Sequence, residues 1–227
     1  AYGEISAGIR DIISATDLPV MVDTDTGYGD VKNVTHTIRG YEAMGVSSIF
    51  MEDQVSPKRC GHMQGKAVIP ADEMVRKIRA AAGARSSSDF YIVARTDARA
   101  VSGLDEALRR ARLYEDAGAD VIFVESPESE AELERIGKEV SKPLLANMVE
   151  FGKTPRVEVA RLRKWGFDLA IYPGLGFSVA AEAMRQAWTY LKDKGTSNGI
   201  SVPQFKGMHE LMGFSEVWDF EKKWAQP

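Results

Sequence analysis

The sequence predicts an α/β fold of the (β/α)8 barrel type, and two observations carry that prediction. Short apolar, β-branched runs alternate with longer amphipathic ones, a pattern that argues for parallel strands with helices outside them. Chemically active side chains then stand at the C-terminal end of every strand-like run. A doubly wound sheet gathers its ligand residues mainly at the switch point, whereas a barrel collects them from most strands into one mouth.

Six strand-like runs are present: LPVMVDT (18–24), VSSIFME (46–52), FYIVART (90–96), DVIFVES (120–126), PLLANM (143–148) and DLAIYP (168–173). Between them lie helical patterns such as ADEMVRKIRAAAGA, LDEALRRARLYEDAGA and TPRVEVARLRKWG, with apolar residues three and four apart and Gly near the ends. Gly118 and Gly166, in AGAD and WGFD, mark helix exits into the next strand. The strand ends carry Asp23 and Asp25, Glu52 and Asp53, Arg95 and Asp97, Glu125, Asn147 and Glu150, and Tyr172. Six strands are two short of eight, and the chain opens in a helical stretch, GEISAGIRDIISATD. The expectation is therefore one barrel domain over 1–227 that lacks its first one or two β/α units, with a helical tail over 174–227.

Composition narrows the function classes. The 227 residues are 44% hydrophobic and 27% charged, ordinary values for a chain with a large core. A net charge of −4 with mixed signs offers no basic field for nucleic acid, and no apolar run approaches the ~18 residues that span a bilayer. The single cysteine cannot form an internal disulfide, which suits a reducing, cytoplasmic setting. An organellar location stays open, because the chain begins mid-pattern. The tail segment MHELMGFSEVWDFEKKW is dense in aromatics, and a partner subunit is a candidate for covering it.

Three stretches carry chemistry. In VDTDTGYGD, Asp23 and Asp25 are two apart at a strand end, so period-2 geometry aims both carboxylates to one side, and Gly27 and Gly29 let backbone approach a ligand. Such oxygens suit Mg2+, which needs only one or two carboxylates, with Mn2+ as a substitute; turn and cap aspartates are the plainer alternative. Glu52, on the next strand, shifts the balance towards metal as an acid that holds metal-bound waters. Residues 53–70 form a loop longer than the ~2–6 residues usual for a βα connection, as lids often are. Cys60 sits at its middle among Lys58, Arg59, His62 and Lys66, whose charge favours the thiolate and makes the thiol a competent proton donor or nucleophile. A small buried hydrophobe is the commoner fate of a free cysteine, but a charged, Gly-containing loop is a poor place to bury one. Arg95 reads as a carboxylate clamp or as the ion-pair partner of an acid such as Glu125, and Asn147 as a neutral donor. His36 and His209 read as structural.

DTDTGYGD, IFMEDQVSPKRCGHMQGK, VARTDA, VESP and LLANMVEFGKTP, in this order and spacing, resemble the isocitrate lyase / phosphoenolpyruvate mutase superfamily. The resemblance runs from about Pro19 to Tyr172, and its Lys-Arg-Cys-Gly-His element points to a lyase branch. It implies a TIM barrel, Mg2+, and a C-terminal helix exchanged between subunits of a tetramer built as a dimer of dimers. It implies metal-binding roles for Asp23 and Asp25, a supporting one for Glu52, a catalytic thiol at Cys60, and substrate contacts from Gly61, His62, Arg95, Glu125 and Asn147. The implied reaction cleaves a 2-hydroxy di- or tricarboxylate by a retro-aldol or retro-Claisen step to a 2-oxo acid such as pyruvate, with Cys60 protonating the departing carbanion.

Two departures narrow the substrate. Methylisocitrate lyases typically carry Thr where this chain has Val149 and Arg where it has Ser178. With one cation fewer and an apolar replacement, the site should take fewer carboxylates and more alkyl, since an unpaired buried charge is costly. A 2-alkylmalate is the expected substrate. The rivals are oxaloacetate hydrolysis to oxalate and acetate, a non-catalytic ligand-binding barrel, and a thiol-redox sensor; the last lacks a second cysteine to resolve a sulfenic acid.

Overall fold

A computed structural model describes residues 2–225. After α1 (Tyr2–Ser14) the chain runs β1 (Met21–Asp23), α2 (Val31–Ala43), β2 (Ser48–Glu52), α3 (Ala71–Ala84), β3 (Tyr91–Thr96), α4 (Ala98–Ser102) and α5 (Leu104–Ala117). It continues through β4 (Val121–Val124), α6 (Glu130–Glu139), β5 (Leu144–Asn147), α7 (Val159–Lys164) and β6 (Phe167–Ile171) to three helices, α8 (Leu175–Lys194), α9 (Phe205–Leu211) and α10 (Phe214–Trp224). All six strands pair in parallel and in chain order, so the fold is the expected parallel α/β type, a half-barrel whose edge strands are β1 and β6.

Strand alternation builds this sheet and also aims the site. Ile49, Met51, Ile92, Ala94 and Ile122 face the helices and pack with Ile78, Leu108, Tyr114 and Ile136 in the main core. Their neighbours one residue along, Phe50, Val93, Val121, Phe123 and Leu145, form a second cluster on the opposite, inner face. Continuing that inner parity by two residues reaches Glu52 on β2, Arg95 on β3 and Asn147 on β5, and Glu125 one step beyond β4. The register confirms the grouping: Glu52 pairs with Arg95, and Arg95 with Phe123. Each fully buried Ile, Leu, Met or Phe of these clusters contributes about 1.5–3 kcal/mol, so the parity is strongly enforced.

Local chemistry fixes the helix ends. Asp30 caps α2 in a reciprocal capping box with Asn33. Gly118 ends α5 with φ +105° and Gly166 follows α7 with φ +91°, left-handed positions that disfavour any side chain. β1 is shorter than its apolar run: Leu18 is exposed, and Pro19 has no N–H to give to a ladder. β6 stops ahead of Pro173.

The chain divides into two compact units, Ala1–Leu175 and Gly176–Pro227. Within the second, His209 packs against Phe214 at 5.1 Å and edge-on to Trp218 at 5.5 Å, a structural use of that ring. The helices of this unit leave Trp188, Phe205, Leu211, Phe220 and Trp224 exposed. No described helix is long and apolar enough to cross a membrane. In the first unit His36 stacks edge-on to Tyr2 at 4.7 Å.

Candidate active site

Arg95 is the hub of the strand ends. Its Nε donates to Asp97 Oδ2 at 2.9 Å and its Nη2 to Asp97 Oδ1 at 3.2 Å, while Nη1 lies 3.2 Å from Glu52 Oε2 and Nη2 3.7 Å from Glu125 Oε2. The guanidinium also sits 5.1 Å from the centre of the Phe123 ring. Burial alone would favour losing the proton, but Glu125, Asp97 and Glu52 outweigh it and hold the proton more tightly than in a free arginine. Asp97 experiences the mirror image: burial is offset by Arg95 and Lys66, which keep its carboxyl below the usual range. Arg95 is therefore an ion-pair partner already, and it reaches the acids on both flanking strands.

Asp23, Asp25 and Glu52 converge on one point, the ammonium of Lys58. Lys58 Nζ lies 2.7 Å from Asp25 Oδ1, 3.6 Å from Asp23 Oδ2 and 3.7 Å from Glu52 Oε1. Strand alternation does not account for the aspartates, contrary to the expectation. Asp25 falls beyond β1 in a left-handed conformation with φ +50°, and its N–H donates to Asp23 Oδ1 at 2.8 Å, so a tight turn brings the two carboxylates together. Among the described residues no three His, Cys, Asp or Glu side chains form a ready metal group. Two carboxylates are nonetheless enough for Mg2+, which draws the rest of its shell from water and substrate, and this set already gathers positive charge in the form of Lys58. Glu52 is pushed up to about 7, by burial first, against the opposing pull of Arg95 and Lys58.

The loop that carries Cys60 is folded onto this cluster. Gln54 grips Arg59 at both its N–H (2.9 Å) and its carbonyl (2.8 Å), and Val55 N–H donates to Ala67 O at 2.9 Å to close the base of the loop. Gly61 is buried so tightly that an added Cβ would stand 2.5 Å from Glu125 Cδ and 2.6 Å from Arg95 Nη2. His62 Nδ1 accepts from Lys153 N–H at 3.0 Å, which places the ring proton on Nε2, 3.3 Å from Glu125 Oε1. Cys60 itself is exposed. Of the cations near it in sequence, Lys58 is committed to the carboxylates, Lys66 turns inward, and burial holds His62 below its ordinary titration range.

Several buried polar atoms of the site lack an aligned hydrogen bond: both oxygens of Glu52, Nε2 of His62 and Oδ1 of Asn147. Asn147 Nδ2 donates one hydrogen to Glu125 Oε2 at 3.2 Å, which leaves its second N–H and its carbonyl oxygen available. Buried groups this expensive to leave unpaired belong where a polar ligand binds. The structure thus brings together Asp23, Asp25, Glu52, Gly61, His62, Arg95, Glu125 and Asn147, with Cys60 adjacent to Gly61 on the docked loop. The sequence reading passed over Ser126, whose Oγ lies 2.9 Å from Gly61 O and 2.7 Å from Glu125 Oε1, and which holds φ +57°. It also gave Asp53, Asp97 and Lys66 no individual role.

A family profile described as phosphoenolpyruvate phosphomutase matches residues 2–192. The chain is 45% identical over 224 residues to 2,3-dimethylmalate lyase of Eubacterium barkeri, covering 98% of this chain and 78% of that protein. It is 44% identical over 211 residues to 2-methylisocitrate lyase of Aeropyrum pernix, covering 92% and 67%. A solved structure of 2,3-dimethylmalate lyase superposes with TM-score 0.88 at 34% identity, covering 98% of this chain and 75% of that one. Phosphonopyruvate hydrolase in complex with oxalate and Mg2+ superposes with TM-score 0.84 at 28% identity, covering 100% and 80%. The fold defines an enzyme of the parallel α/β barrel class. The chain belongs to the phosphoenolpyruvate mutase/isocitrate lyase superfamily, and its relatives place it among the carbon–carbon lyases of that group.

Proposed function

We propose that this site cleaves a 2-hydroxy dicarboxylate of the 2-alkylmalate type, such as 2,3-dimethylmalate, to pyruvate and a short carboxylic acid. The observation that carries the reading is the set of buried polar atoms on Glu52, His62 and Asn147 that lack an aligned hydrogen bond, arranged around the guanidinium of Arg95. Asp23 and Asp25, with Glu52 beside them, are the residues to hold Mg2+, which when bound polarises the hydroxyl and carboxylate oxygens of the half that becomes the 2-oxo acid. Arg95 takes a carboxylate of the substrate, and Asn147 offers its amide to the same region. His62, neutral and with Nε2–H directed inward, donates to charge that develops on the departing fragment.

The substrate hydroxyl gives its proton to the Glu52 carboxylate, its oxygen becomes the carbonyl of the 2-oxo acid, and the bond between the carbinol carbon and its neighbour breaks. Its electron pair passes to the neighbour as a carboxylate-stabilised carbanion, and the proton of the Cys60 thiol goes to that carbon. Val149 contributes an alkyl surface at the mouth, near Gly152 and His62, in keeping with a substrate that has more alkyl and fewer carboxylates. We place the active unit in a homo-oligomer, a tetramer, because α8, α9 and α10 expose apolar faces that a second copy would cover.

Pyruvate release measured on 2,3-dimethylmalate and on 2-methylisocitrate, with Mg2+, tests the reading. Turnover of the alkylmalate at ten times or more the efficiency of the tricarboxylate is expected. A clear preference for the tricarboxylate overturns it, as does release of oxalate and acetate from oxaloacetate as the dominant activity.

A further inference from the structure

Lys66 closes the C-terminal arm of the cysteine loop, in a Gly-containing, charged stretch where a lysine ordinarily belongs in solvent. The structure buries it: its side chain is 2% exposed and that of its partner, Asp97, 0%. The ammonium donates to the carbonyl of Gly61 and, at 2.8 Å, to Asp97 Oδ1. Asp97 also accepts from Nε and Nη2 of Arg95, at 2.9 and 3.2 Å. Its own N–H is held by Asp53 Oδ1 at 2.8 Å. Asp53 in turn accepts from Tyr114 at 2.7 Å, Thr96 at 2.8 Å and Arg110 at 3.0 Å. One carboxylate therefore grips the loop on one side and the guanidinium on the other, from a mount with no freedom to shift.

Neither Lys66 nor Asp97 is used by the proposed reaction, and a buried ammonium is costly unless it is fully paired. We propose that Lys66 and Asp97 are positioning residues that latch the loop bearing Cys60 to Arg95. The Lys66–Gly61 bond closes residues 61–66 into a ring, and Asp97 fixes that ring to the end of β3. The proton donor and the carboxylate clamp are thereby set at a fixed separation before substrate arrives, the kind of placement in which a ~1 Å error costs about 10²-fold in rate. The catalytic part of this inference rests on the reading of Cys60 as donor and Arg95 as clamp; the mechanical part does not.

Two measurements keep them apart: the rate of tryptic cleavage after Arg59, on the exposed crest of the loop, and the kinetics of pyruvate release. For Lys66→Met the expected result is cleavage at least about tenfold faster, with kcat down about 10²-fold, KM changed far less, and the thermal unfolding midpoint moved by only a few degrees. Lys66→Arg should recover most of both losses. Asp97→Asn, which keeps the shape and removes the charge, should free the loop in the same way and in addition raise KM through Arg95. Cleavage of Lys66→Met at the wild-type rate overturns the latch, and so does faster cleavage with kcat intact. If the wild-type chain releases no pyruvate, the functional reading fails while the cleavage rates still decide whether Lys66 holds the loop.

Discussion

The ammonium of Lys58 lies 2.7 Å from Asp25 Oδ1 and 3.6 Å from Asp23 Oδ2, so the two acids proposed to hold a metal already share a cation delivered by the loop that carries Cys60. Cation and metal compete for the same oxygens, and the repulsion between a single positive charge and Mg2+ at ~4 Å is about 8 kcal/mol near a protein surface before relaxation. Lys58→Met should therefore bind Mg2+ several-fold more tightly in a calorimetric titration at fixed pH. Unchanged or weaker binding would remove Lys58 from the charge balance of the site.

Gly61→Ala tests the docked position of the loop. The new methyl would meet Glu125 Cδ at 2.5 Å and Arg95 Nη2 at 2.6 Å, both on buried, fixed side chains. The loop must lift, and kcat should fall by about 10²-fold or more while unfolding free energy changes by less than about 1 kcal/mol, because the affected segment lies outside the core. Near-normal turnover would mean that catalysis does not use this docked geometry.

Asp53→Asn tests the support behind the strand ends. The carboxylate is wholly buried and accepts from Thr96, Asp97, Arg110 and Tyr114. Replacing one oxygen by a donor leaves buried partners mismatched, a loss of about 2–4 kcal/mol. A urea titration should register it, together with lower activity through Asp97. A shift below about 1 kcal/mol would show that the network is not a prop.

The acid limb of stability should involve Glu106, whose carboxyl is pulled down to about 2, first by its hydrogen bonds from Arg109, which with those from Arg110 outweigh the opposing cost of burial. Because the folded state holds this carboxylate ionised more tightly than the unfolded chain does, its contribution is present in full above the ordinary glutamate range and is lost as the pH falls from about 4.5 towards about 2. Solvent screening limits the increment to about 1 kcal/mol. Glu106→Gln should flatten the unfolding free energy across that window relative to wild type; parallel curves would assign the acid limb elsewhere.

The sheet was legible in the sequence because its central strands, β2 to β5, follow one rule, apolar residues on both faces with alternating destinations. The same rule carries Glu52, Arg95 and Asn147 to one side as their strands end. The pairing of Asp23 with Asp25 was legible as a proximity, but for the wrong reason, since a non-glycine residue at φ +50° leaves no local signal. The partners that organise the site from behind were not legible. Lys66 meets Asp97 across 31 residues and Asp53 meets Tyr114 across 61, and a lysine in a polar loop looks the same whether it faces water or a buried carboxylate. Ser126 was hidden similarly, since its hydroxyl meets the carbonyl of Gly61 across 65 residues.

Helix α5 presents a mostly aliphatic inner face, Ala107, Leu108 and Ala111, yet Arg110 and Tyr114 reach through it to Asp53. Exchanging this helix for another of identical hydropathy would preserve the wall of the barrel and dismantle the chemistry in front of it. Anyone transplanting or redesigning this scaffold must carry the outer helix and the strand tips as one inherited block.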